Sequence, residues 1–133
     1  MRHITHLVVH CTATQQSATV ESIMRYWKEE KGWKSPGYHF LIDPKGKVHN
    51  LLSIDQISNG VKGHNASIIN ICYIGGVDAS NKPIDNRTEA QKLAIKAKLQ
   101  ELRRAFPKAI IQGHRDFPGV AKACPSFDAK KEY

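Results

Sequence analysis

Three residues scattered along this chain, His10, His114 and Cys124, are of the types that bind a transition metal. Two imidazoles and a thiolate are good zinc ligands, and three protein ligands with one open position characterise a catalytic rather than a structural zinc site. A water in the open position has its pKa lowered towards neutrality, which gives a hydroxide nucleophile at physiological pH. Taken singly, each residue has a plainer explanation. His10 reads equally as a satisfied core histidine and Cys124 as a small buried apolar residue. His114 opens a His-Arg-Asp run, but the other kinase signatures are missing. The three are far apart in sequence, so only a fold can bring them together.

The elements that must do so are legible. Residues 4–11 (ITHLVVHC) predict a buried first strand with His10 at its C-terminal end. Alternation along a strand predicts that His10 and Cys11 face opposite ways, with Cys11 in a core layer and Cys72, within IINICYI, in the core as well. Val20, Ile23, Met24 and Trp27 recur at helical spacing, predicting a helix that ends near Gly32. Residues 38–42 predict a strand, 43–46 a hairpin turn, and Val48 the start of the return strand. A polar loop over 60–67 precedes a strong strand over 68–74, and a surface loop covers 78–87. Thr88 and Gln91 form a capping box ahead of a helix whose apolar stripe is Ile95, Leu99, Leu102 and Phe106, with Pro107 ending it. Residues 109–112 predict a short strand, 113–125 a loop, and a short helix follows. His3, His6, His39, His49 and His64 have no spacing that singles them out. The order predicts an α/β (mixed α+β) fold: a single domain over 1–133, with a central mixed sheet flanked by helices and the metal in a groove at one end of the sheet.

Composition narrows the partners. The 133 residues are 41% hydrophobic and 24% charged, enough for one core without disulfides. Lys and Arg number 20 against 12 Asp and Glu, a net charge of +8 that favours polyanions: nucleic acid, anionic lipid or an acidic cell wall. The basic residues are dispersed, which argues against a disordered nucleic-acid arm. Three cysteines are poor material for a disulfide framework. The first apolar run carries two histidines, too short and polar for a signal peptide, and no stretch of 18 apolar residues follows, so no membrane insertion is expected. The expectation is synthesis in a reducing cytoplasm, without a signal peptide.

The segments VVHCTAT, GYHFLID, GHNAS with NICYIGG, and HRDF with KACPSFD together resemble the type-2 N-acetylmuramoyl-L-alanine amidases. That family includes small phage endolysins and shares its fold with the peptidoglycan recognition proteins. The resemblance runs over about residues 5–128, in the family's order. It implies that His10, His114 and Cys124 hold Zn2+, that Tyr38 sits beside the metal, and that Lys122 meets the developing oxyanion. Without the resemblance, Tyr38 reads as a half-buried strand tyrosine and Lys122 as a solvated charge. The implied reaction is hydrolysis of the lactyl–L-alanine amide of bacterial peptidoglycan by a monomer, reaching the wall after release by a holin or another export route. RNA polymerase is a further partner of some relatives.

The alternative from another class is a peptidoglycan-recognition module without catalysis, or a regulator of a partner protein. Recognition proteins that only bind commonly have Ser in place of this Cys; the complete ligand set here favours an enzyme. A nucleic-acid-binding domain rests on charge alone and is not expected. There are departures from the family's pattern. Gly60 stands where a His that lines the substrate groove is frequent, Asn70 stands where Gly is frequent, and the loop from His114 to Cys124 is longer than in some relatives.

Overall fold

A computed structural model of the chain describes residues 2–133. Five strands form one mixed sheet: β1 (His6–Cys11), β2 (Phe40–Ile42), β3 (Val48–Asn50), β4 (Ile68–Tyr73) and β5 (Ile110–Gly113), in the order β3-β2-β4-β1-β5. β1 lies parallel to both β4 and β5, and β2 is parallel to β4 and antiparallel to β3. Three helices accompany it: α1 (Val20–Glu29), α2 (Glu89–Ala105) and α3 (Ala129–Glu132).

The continuous apolar runs of β1 and β4 are what a strand covered on both faces requires. One face presents Leu7, Val9, Cys11, Ile69, Ile71 and Tyr73 to Ile95, Leu99 and Leu102 of α2. The other presents Leu41 and Cys72 to Ile23 and Trp27 of α1, with a smaller cluster of Val8, Ile68, Val61 and Phe117 beside it. Both long helices begin on capping boxes, Thr19 with Ser22 and Thr88 with Gln91.

The expected elements are present with shifted ends. β2 begins at Phe40, although His39 still bonds across to Asn70 and Leu51. α1 stops at Glu29, short of Gly32. Met24, counted in the apolar stripe, is instead exposed: Ile23 and Trp27, four apart, define the buried face, and Met24 projects about 100° away from Ile23. As alternation requires, Cys11 packs into the core under α2 while His10 belongs to the opposite face.

Candidate metal centre

The parallel strands β1, β4 and β5 bring the site together at their C-terminal ends. His10 is the fifth residue of β1, and His114 directly follows β5, the neighbour of β1. Cys124 arrives from the loop beyond. Its carbonyl accepts a 2.8 Å hydrogen bond from the Arg115 amide, which ties the segments of the two residues together. Tyr73 of β4 donates to the Pro125 carbonyl at 2.6 Å and anchors the same loop to the sheet. Gly113 is a close-approach position: a Cβ there would lie 2.6 Å from Cδ of Pro125.

The result is a cluster. One donor atom from each of His10, His114 and Cys124 lies within 4.8 Å of the others. The Cys124 sulfur is 3.8 Å from Nδ1 of His10. Bonds of about 2.3 Å to sulfur and 2.0 Å to nitrogen, meeting at a tetrahedral angle, would separate those atoms by about 3.5 Å. The rings of His10 and His114 stand 5.0 Å apart, edge to face. His10 is fully buried, whereas His114 and Cys124 are partly exposed.

The electrostatics suit a cation. Burial, with help from His114, lowers the His10 pKa to about 3, and burial together with the Lys122 ammonium lowers that of His114 to about 4. Both imidazoles are therefore neutral at pH 7, each with a lone pair to offer. The hydrogen bond with Cys11, and then burial, hold the Cys124 thiol well above its ordinary range. A bound metal would reverse that, because a coordinating thiol is deprotonated outright. Two neutral imidazoles and a thiol, with His114 and Cys124 partly open to solvent, thus fit a zinc ion with a free coordination position.

The structure places Tyr38 against His10 and Lys122 on the segment leading to Cys124. The Tyr38 ring is 4.8 Å from that of His10, and its hydroxyl is 3.5 Å from the Cys11 carbonyl. Burial and the neighbouring cysteines raise its pKa well above the usual phenol value, so it is a neutral donor. Lys122 is exposed, two residues before Cys124, and near enough for its charge to depress both histidines.

The whole chain can be set beside known proteins. The family model described as N-acetylmuramoyl-L-alanine amidase matches residues 1–127. The chain belongs to this amidase family. It is 40% identical over 124 residues to the endolysin of Enterobacteria phage K11, covering 92% of this chain and 81% of that protein. It is 35% identical over 126 residues to the endolysin of Escherichia phage T7, covering 94% and 82%. Among solved structures, the Ph2119 endolysin from a Thermus scotoductus bacteriophage superposes with a TM-score of 0.79 at 26% identity, covering 94% of this chain and 79% of that one. The bumblebee PGRP-SA structure, at 20% identity and a TM-score of 0.80 over 97% and 80% of the two chains, shows the same fold. The amidase fold and the shared architecture with recognition proteins are thus both established for this chain.

Three polar residues behind His10 were not connected in the sequence reading. His39, Ser58 and Asn70 are fully buried polar side chains, and Asn70 reaches the back of His10 with a 2.6 Å contact from Oδ1 to Nε2. The two departures at positions 60 and 70 also turn out to be neighbours: a Cβ on Gly60 would lie 2.3 Å from the Asn70 side chain. The remaining histidines are peripheral. His49 pairs with Asp43 at 3.0 Å, and His6 and His64 flank Phe117.

Proposed function

We propose that this amidase is a zinc-dependent endolysin that hydrolyses the amide between the lactyl group of muramic acid and L-alanine in bacterial peptidoglycan. The observation that carries the reading is the convergence of His10, His114 and Cys124 to within 4.8 Å at one end of the sheet, in a chain whose phage relatives are endolysins. When bound, zinc supplies a Lewis acid and a water acidic enough to act as nucleophile near pH 7.

The chain's own residues supply the rest. His10 and His114 are held neutral by burial, so neither has to lose a proton before binding a cation. Attack on an amide develops negative charge on its oxygen, and we assign its stabilisation to the Lys122 ammonium, a reading supported by the effect of that charge on both histidines. To the Tyr38 hydroxyl, a neutral donor on a ring 4.8 Å from that of His10, we assign a hydrogen bond to the reacting group or the departing amine. The net charge of +8 draws the enzyme to an anionic wall, an attraction that weakens as salt shortens the Debye length. Among the described residues no helix is long and apolar enough to cross a membrane.

Cys124→Ser tests the reading against a recognition module. The enzyme should lose stoichiometric zinc and wall-clearing activity while still folding. A module that only recognises peptidoglycan should bind the wall, and leave it intact, with either residue.

A further inference from the structure

Behind His10 the sheet buries a chain of polar side chains whose proton directions can be worked out from its far end. His39 Nε2 donates to the Gln56 carbonyl at 2.8 Å, so its Nδ1 is an acceptor, and it accepts the backbone amide of Asn70 at 3.0 Å. Ser58 Oγ stands 3.3 Å from the same Nδ1 and accepts the Asn70 side-chain amide, Nδ2 to Oγ, at 2.7 Å. With Nδ2 directed at Ser58, Asn70 presents Oδ1 to His10, 2.6 Å from Nε2. A carbonyl oxygen only accepts, so Nε2 of His10 carries the proton and Nδ1, the nitrogen facing Cys124, keeps its lone pair.

We propose that Asn70 is a positioning residue: it fixes His10 in the tautomer and ring orientation that present Nδ1 to a metal. The inference rests on the zinc reading of the cluster. Metal-binding histidines commonly give their second N–H to a carbonyl or carboxylate, and loss of such a partner typically costs about 10–100-fold in metal affinity or activity. The backbone reserves the room this needs. Asn70 lies on β4 opposite Val8, diagonal to His10, and Gly60 lies against its amide with no Cβ to displace it. Gly60 therefore acts on His10 through Asn70, without being part of the cluster.

The test uses the full chain and the variants Asn70→Ala, Asn70→Asp, Gly60→Ala and the Gly60→Ala/Asn70→Ala double variant. Zinc affinity is read by competition with a chromophoric chelator, and the His10 tautomer of zinc-free protein by nitrogen–proton correlation NMR. The expected wild-type tautomer has its proton on Nε2. Asn70→Ala should populate both tautomers and weaken zinc binding about 10–100-fold. Asn70→Asp keeps an acceptor for the Nε2 proton and should restore the affinity. Gly60→Ala should reproduce the loss, and the double variant should be no worse than Asn70→Ala, because the two act on one contact. A wild-type His10 protonated on Nδ1, or zinc affinity unchanged in folded Asn70→Ala, overturns the inference alone. A folded wild type that binds no zinc overturns it together with the zinc reading.

Discussion

Replacing Gly113 by Ala should damage the metal centre through geometry alone. The backbone at Gly113, φ −87° and ψ 164°, is open to any residue, so no torsional strain enters. The new methyl would lie 2.6 Å from Cδ of Pro125. Carbon atoms need about 3.5 Å, so the two segments must part by about 0.9 Å. Neither side can yield by rotating a side chain, because one is backbone-borne and the other is a proline ring. Gly113 precedes His114 and Pro125 follows Cys124, so the parting separates two of the three donors. Overpacking of this kind costs about 1–3 kcal/mol of stability. A misplacement of about 1 Å costs on the order of 100-fold in rate. Turbidity clearance of purified cell walls, zinc competition and thermal melting would measure all three. A variant with wild-type clearance, zinc affinity and melting temperature would refute the packing argument for how the cluster is built.

Other consequences are as concrete. Lys122→Ala should lower amidase turnover about 100-fold or more while leaving zinc affinity unchanged, as expected for a group that meets the oxyanion and not the metal; equal losses in both would reassign it. In zinc-free protein, His10 and His114 titrate near pH 3 and 4 when folded but near 6.5 when unfolded, so the unfolded chain binds more protons as pH falls below 6.5. Their contribution to stability, complete above the unfolded value, should fall between pH 7 and 5 by about 2 kcal/mol for the buried His10 and by less for the partly exposed His114, whose shift solvent screens, seen as a lower denaturant midpoint in chelator; a flat midpoint would contradict the burial of His10 as a neutral group. Arg87→Ala should destabilise by about 2–4 kcal/mol, because its buried guanidinium joins Asp85 at 2.9 Å and Glu132 at 2.5 Å over the Phe127 ring; a melting temperature within a degree of wild type would refute that.

What the sequence disclosed followed from periodicity and residue type. The apolar runs at residues 6–11 and 68–73 marked strands covered on both faces, and the Thr88–Gln91 box marked the start of α2. His10, His114 and Cys124 stood out because each lay at a strand end or in the loop beyond it, and the resemblance to the amidases pointed to the same three as ligands. Element ends were less clear: β2 begins after Tyr38 and His39, where cross-strand bonding rather than composition decides the boundary. The chain of His39, Ser58 and Asn70 was invisible, since a buried polar residue announces itself only through partners that lie 12 to 60 residues away. Gly60 and Asn70 were each legible as departures from the family's pattern but not as neighbours, since only the fold brings a Cβ position on Gly60 to 2.3 Å from the Asn70 side chain.

The central claim is a zinc-dependent cut at one bond, and mass spectrometry of the products from purified peptidoglycan tests it most directly, with zinc-loaded and chelator-treated enzyme side by side. The account predicts free stem peptides with an unblocked L-alanine amine, released only by the zinc-loaded protein. Intact peptidoglycan in the presence of stoichiometrically bound zinc, or the same products with no metal bound, would contradict it.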